Sequence, residues 1–214
     1  SGYAIDKFLY SDPPPDGYSV EAFARRAAGF ADALGLRRPV FAGHSMGGVV
    51  SQLIGINRPD LVGGLVLVCT GPSMTNHAAA RRWLTELVSG AGSPESIRRI
   101  SANWFNGTPP AAAFERYVGN AVRAPLDAMI SVQESLIAAD LRDALPRIEA
   151  PALVVFGAHD AGRTFEHAQA LLGGIRRSTL ATMKDSGHTP MIETPADFNA
   201  ALHVFLSTLA PVPA

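Results

Sequence analysis

The stretch Pro39-Val40-Phe41-Ala42-Gly43-His44-Ser45-Met46-Gly47-Gly48 decides the fold of this chain. Its first half is a short apolar run, which reads as a strand. Its second half opens a helical pattern that continues to about Ile56, where Asn57 and Pro59 stop it. The backbone must pass from strand to helix within a residue or two. Glycines two before and two after Ser45 allow so tight a passage, because neither brings a Cβ into the turn.

The same grammar recurs downstream. Residues 61–70 are rich in Val and Leu, do not alternate with polar residues and are too few for a helix. Such a run suits a strand buried on both faces. Residues 152–157 repeat the pattern, and 178–183 are a weaker version with a helix at 165–172 between them. A last helix opens with Thr194-Pro195-Ala196-Asp197, where Thr caps, Pro takes the first turn and Asp the third position. Its apolar face is Phe198, Leu202, Phe205 and Leu209. Upstream of the quoted stretch, Val20, Phe23, Ala27, Phe30 and Leu34 make a helical stripe with Ser19 as N-cap and Gly35 as terminator. The Pro-rich residues 11–17 read as a loop. Strand alternating with helix predicts an α/β fold with a parallel sheet, here of about four strands, and helices on both faces. Residues 71–150 break the alternation, with helical patterns only, at 76–89, 93–104, 110–122 and 126–138. An all-helical insert after a strand predicts a lid over the carboxyl edge of the sheet, where ligands bind in such folds. The chain therefore divides into a first core part (1–70), a helical lid (71–150) and a second core part (151–214).

Composition narrows the class. At 214 residues, 47% hydrophobic and 17% charged, the chain can bury a sizeable core and is not a disordered sequence. Eighteen basic residues against nineteen acidic ones leave a formal charge of −1, so no basic field invites nucleic acid or anionic lipid. The five Arg-Arg pairs are scattered and read as solvated faces. A single Cys excludes an intrachain disulfide and a Cys-based zinc site, and Cys69 itself reads as a small buried apolar residue. No apolar run nears the roughly 18 residues of a membrane span. Asp6 and Lys7 interrupt any apolar leader. The expectation is a cytoplasmic protein with a small-molecule substrate and neither nucleic acid nor membrane as partner. No dinucleotide or phosphate-cradling glycine pattern and no metal cluster is present in the sequence, so no cofactor and no metal is expected.

Gly43-His44-Ser45-Met46-Gly47 is a G-x-S-x-G between a strand and a helix. That context holds the Ser45 hydroxyl above the strand end as a candidate nucleophile, and it leaves the Met46 amide at a helix N-terminus to meet a developing oxyanion. A serine hydroxyl needs a base. Among His44, His77, His159, His167, His188 and His203, His188 stands on a loop just after the last strand, which a parallel sheet brings to the edge of Ser45. His77, His167 and His203 fall on helical patterns, and His44 adjoins the serine and points elsewhere, which suits packing or support. The base needs an orienting acid. Asp160 ends the strand before, whereas the strand at 61–70 ends in Cys69-Thr70-Gly71 without a carboxylate. Asp185, three residues from His188, reads as a turn residue.

Three segments carry a resemblance: Ala42-Gly43-His44-Ser45-Met46-Gly47-Gly48, Val155-Phe156-Gly157-Ala158-His159-Asp160 and Ser186-Gly187-His188-Thr189-Pro190-Met191-Ile192-Glu193. Together with Asp140-Leu141-Arg142-Asp143-Ala144-Leu145-Pro146-Arg147-Ile148 they resemble the α/β-hydrolase superfamily, in its esterase, lactonase and carbon–carbon hydrolase branch, over most of the chain. The resemblance implies Ser45 as nucleophile, Asp160 as acid, His188 as base and a four-helix lid. Serine rather than aspartate at the elbow disfavours the epoxide-hydrolase and dehalogenase branches. It implies hydrolysis of a small apolar ester, lactone or related acyl bond. The alternatives are a carbon–carbon hydrolase, thioesterase or perhydrolase on the same triad, or a weakly active or non-catalytic module of this fold.

The resemblance departs at the front. A full-length member has the elbow strand fifth of eight and a second oxyanion donor on an earlier loop, often beside a His-Gly pair. Here about 40 residues precede the elbow, with no His-Gly pair among them. The first four strands and that donor are therefore expected to be missing, and the bare sheet edge is expected to favour self-association. In the helical segment Met74, Trp83, Trp104, Phe105 and Met129 are the candidates to line an apolar pocket.

Overall fold

The computed structural model describes residues 16–74 and 78–209; the expectations placed on residues before Asp16 and on His77 lie outside them. Four strands, β1 (Val40–His44), β2 (Gly64–Val68), β3 (Ala152–Gly157) and β4 (Ser178–Met183), form one parallel sheet in the order β1-β2-β3-β4. The helices are α1 (Val20–Ala33), α2 (Met46–Asn57), α3 (Ala78–Ser89), α4 (Pro94–Ala102), α5 (Ala111–Arg123), α6 (Leu126–Ala138), α7 (Phe165–Gly174), the single-turn α8 (Pro190–Glu193) and α9 (Pro195–Thr208). A 3-10 segment, Arg142–Arg147, leads into β3.

Burial follows the period of two that a pleated strand imposes. Leu65, Leu67, Ala152 and Val154 face one core with α1, α2 and α7. Val66, Val68, Leu153 and Val155 face another with Phe205, Phe198 and Leu202 of α9. Both faces of β2 and β3 are covered, which is why their sequences do not alternate. The register pairs His44 with Val68, Val68 with Val155, and Gly157 with Met183. The residues that follow each strand thus come out along one carboxyl edge.

α2 runs along this sheet and is buried almost all round, from Met46 through Ile56. Between β2 and β3 the described residues hold α3 to α6 and the 3-10 segment, with an isolated antiparallel bridge between Ser73 and Asp140. Leu87, Ile97 and Val118 form a small core of their own, and α6 also sends Val132 and Leu136 into the main core. No helix of the described residues is long and apolar enough to cross a membrane.

Three expectations need correction. The buried face of α1 is Val20, Phe23, Ala24, Ala28 and Ala31, while Phe30 is 63% exposed and Leu34 58%. At about 100° per residue, the alanines centre the buried face and put Phe30 at its margin. Leu34 is the C-cap, beyond the last helical turn. Gly35 does end α1, at φ 63°, with Gly35 N–H on Asp32 O and Leu36 N–H on Ala31 O. The 61–70 run yields a strand only over Gly64–Val68, because Leu61 and Val62 are buried before pairing begins. Thr194 stands at the N-cap of α9, but its hydroxyl donates to Pro190 O, the carbonyl that the preceding turn α8 puts within reach. Helix ends otherwise shift by one or two residues.

Candidate active site

Ser45 sits between β1 and α2 with φ 52°, ψ −115°, in the left-handed half of the map that a side chain disfavours. Strain of that kind persists only where the surroundings over-determine it. Here they do. Ser45 N–H donates to Val68 O at 2.8 Å, and Ser45 O accepts from Gly48 N–H at 3.0 Å and Thr70 Oγ1 at 2.7 Å. A Cβ on Gly43 would lie 2.0 Å from Gly47 O, and one on Gly48 would lie 2.4 Å from the Thr70 methyl. The glycines are thus needed for close passage of strand and helix. The Ser45 side chain does not cap α2, although serine commonly caps, so its hydroxyl remains available for chemistry. Met46 is the first residue of α2, where backbone N–H groups lack intrahelical partners.

Asp160 follows β3 and is buried. One carboxylate oxygen accepts the N–H groups of Gly162 at 2.8 Å and Arg163 at 2.9 Å, and the other meets His188 Nδ1 at 2.7 Å. A carboxylate only accepts, so Nδ1–H of His188 is the donor in this bond, and Nε2 lies on the other side of the ring. The hydrogen bonds of the described residues do not include one from Ser45 Oγ to His188. Such bonds are often long before substrate arrives and tighten in the complex.

The loop that carries His188 is held from several sides. His188 N–H donates to Trp104 O at 2.9 Å, and the Trp104 ring lies 4.7 Å from the imidazole at 34°. His44 Nε2 donates to His188 O at 2.6 Å. Burial, followed by the neighbouring His188, holds His44 well below the usual histidine range, so it stays neutral. Glu193, on α8, accepts from Gly187 N–H, Thr189 N–H, Thr189 Oγ1 and Ser186 Oγ with one oxygen, and from Asn106 N–H with the other. One carboxylate thereby ties the histidine loop to the segment after α4.

Cys69 follows β2 with φ 45°, is buried, and lies with its Sγ on Gly187 O at 3.7 Å. Its sulfur, the Asp160 carboxylate and the His188 ring fall within 4.8 Å of one another, the grouping among the described residues with the donors for a metal. Burial pushes the thiol well up from its ordinary value, and thiol ligation requires its loss of a proton. The set therefore reads as an acid–base pair beside a neutral thiol.

Of the other sequence candidates, His159 and His203 are exposed, and His167 packs on α7 against Gly71. Asp185 is exposed in the turn after β4. The five pocket candidates separate. Trp104 lies on the imidazole, and Phe105 is next to it, edge-on to Phe114 and Tyr117. Met74 belongs to the main core, and Trp83 and Met129 pack in the core of the helical insert. Glu193 and Arg163 are functional neighbours of the site without a role from sequence alone, although a carboxylate five residues past the histidine is a visible signal for the first.

A family model described as "Alpha/beta hydrolase family" matches residues 2–201. The chain is 29% identical over 194 residues to a putative carbamate hydrolase RutD of Stutzerimonas stutzeri, covering 88% of this chain and 73% of that one. It is 27% identical over 201 residues to 3-oxoadipate enol-lactonase 2 of Acinetobacter baylyi, covering 92% and 74%. The solved structure of an esterase from Exiguobacterium antarcticum superposes with a TM-score of 0.85 at 22% identity, covering 93% and 78%.

Proposed function

The chain belongs to the alpha/beta hydrolase family, and from that premise we propose that it is a serine hydrolase cleaving a small ester, lactone or related acyl bond with a largely apolar body. The observation that carries this reading is the His188 Nδ1–Asp160 hydrogen bond at 2.7 Å on the same sheet edge as the strained Ser45. In this mechanism Ser45 Oγ attacks the acyl carbon and His188 Nε2 takes the hydroxyl proton. Asp160 fixes the imidazole and stabilises the imidazolium that forms. The Met46 N–H donates to the oxyanion. His188 then returns the proton to the leaving oxygen. Water, deprotonated by the same Nε2, attacks the acyl-enzyme; the acyl–Oγ bond breaks, Nε2 returns the proton to Ser45 Oγ, and the acid is released.

The helical insert is the lid in this reading, with Trp104 as its contact to the chemistry. Support for small acyl substrates comes from the names of the relatives, a carbamate hydrolase and an enol-lactonase. The test is turnover of short p-nitrophenyl esters. His188→Ala and Asp160→Asn each lose about 10⁴-fold in kcat, and the double variant loses little more, because triad members act as a unit. His159→Ala and His167→Ala stay near wild type. Equal damage from His159→Ala would overturn the assignment of the base.

A further inference from the structure

Arg163 stands apart from every other arginine whose contacts are described. Arg25, Arg26, Arg58, Arg98, Arg99 and Arg142 pair with carboxylates in ion pairs at the protein surface. Arg163 is 2% exposed, and both terminal nitrogens of its guanidinium are buried without a hydrogen-bond partner. Those two nitrogens hold four N–H donors in a planar fork. Leaving donors of a charged group buried and unpaired is costly, and native structures rarely do so without a reason.

Its position supplies the reason. Arg163 closes the turn that begins at Asp160, and its backbone N–H is one of the two that hold the Asp160 carboxylate. A Cβ on Gly162, in the same turn, would lie 2.9 Å from the Trp104 ring that stacks on His188. The turn is therefore a wall of the site. The guanidinium lies within electrostatic range of His44, Cys69 and Asp160, the groups at the ends of β1, β2 and β3. Asp160 does not neutralise it through a hydrogen bond: its oxygens serve His188 and two backbone N–H groups. Burial draws the guanidinium down to about 10, which leaves it protonated at neutral pH.

We propose that the unpaired guanidinium of Arg163 is the subsite for a carboxylate carried by the substrate, at the end remote from the acyl bond that Ser45 attacks. This rests on the hydrolase reading above and narrows it to esters or lactones of carboxylate-bearing acids. A carboxylate matches the planar fork and satisfies donors that the folded chain leaves open. Arg163 binds and orients; the triad does the chemistry.

The test uses p-nitrophenyl monoesters of the dicarboxylic acids from succinate to adipate, each beside its methyl-capped neutral analogue. The wild-type chain favours the best charged ester over its neutral analogue, mainly through KM. Arg163→Met lowers that preference roughly 10- to 100-fold, the range for one charge-assisted buried hydrogen-bond pair. The neutral ester loses less than the charged one, and the ratio between the two is the readout. Arg163→Met also melts at a higher temperature than wild type, as removal of a buried unpaired charge should. Free glutarate raises the melting temperature of wild type and Ser45→Ala, but not of Arg163→Met. Lack of preference in the wild type, or equal loss on both esters in Arg163→Met with a lower melting temperature, would overturn the proposal and assign Arg163 a structural role. If neither ester shows Ser45-dependent turnover while dicarboxylates still stabilise through Arg163, the anion site stands and the hydrolase reading fails.

Discussion

The carboxyl edge of the sheet and the helical insert above it are built on opposite principles. At the edge, each candidate residue is fixed by hydrogen bonds and close glycine passages: the Ser45 backbone by Val68 O and Thr70, the Asp160 carboxylate by the amides of Gly162 and Arg163, the His188 backbone by Trp104 O and His44. Little there can move without breaking main-chain contacts. The insert depends instead on a small apolar cluster, Leu87, Ile97 and Val118, and on exposed ion pairs such as Arg98–Glu115 and Arg99–Glu86. Exposed pairs of that kind contribute little to stability. If the proposed chemistry is right, it stands on the region with more main-chain contacts. On the proposed reading, substrate choice would change through the insert while Ser45, Asp160 and His188 stay in place.

Glu193 offers the sharpest way to break this contrast, because it joins the histidine loop to Asn106 in the segment after α4. Glu193→Ala should lower kcat by roughly 100-fold with a smaller change in KM, the scale of loss when a catalytic group is misplaced by about 1 Å. Glu193→Gln keeps an acceptor oxygen and should recover part of the loss. Wild-type kcat in Glu193→Ala would mean that the edge holds His188 without this tie.

The insert should respond differently. Leu87, fully buried in its cluster, is expected to cost about 2–5 kcal/mol on truncation to alanine. At a temperature where the variant remains folded, its kcat on a short neutral ester should stay within a few-fold of wild type. A fall in kcat as large as that of Glu193→Ala would show that the insert also positions the triad. Trp104→Ala should have the smallest and most selective effect. Its carbonyl still holds His188 N–H, so the change is expected in the ratio of kcat/KM for short and long acyl chains, by several-fold. A uniform change along the chain-length series would assign Trp104 to stability instead.

The contrast also explains what could be read from the sequence. Ser45 and Asp160 each follow a short apolar strand, His188 follows the weaker and more polar β4, and glycines punctuate their segments at Gly43, Gly157 and Gly187. Local signals of that strength mark the ends of parallel strands, and parallel pairing brings those ends together. The supporting contacts had no such signal. His44 reaches the carbonyl of His188, 144 residues away, and Cys69 lies on Gly187, 118 residues away. Pairings that distant depend on how the sheet stacks, which one chain's periodicity does not encode. Arg163 was silent for the same reason: an arginine in a polar loop reads as solvated until its burial is known. On α1 the large Phe30 drew the stripe toward itself, whereas the buried face is made by small alanines. Among the pocket candidates, residue type alone could not separate Trp104, on the imidazole, from Trp83, in the core of the insert.

Whether Ser45, strained above the end of β1, is the nucleophile is read out by covalent labelling. The chain is incubated with an activated fluorophosphonate, and the modified peptide is located by mass spectrometry. A single phosphonyl group is expected on Ser45, with slow labelling in His188→Ala and none in Ser45→Ala. Modification at another residue, or labelling that persists in Ser45→Ala, would contradict that assignment.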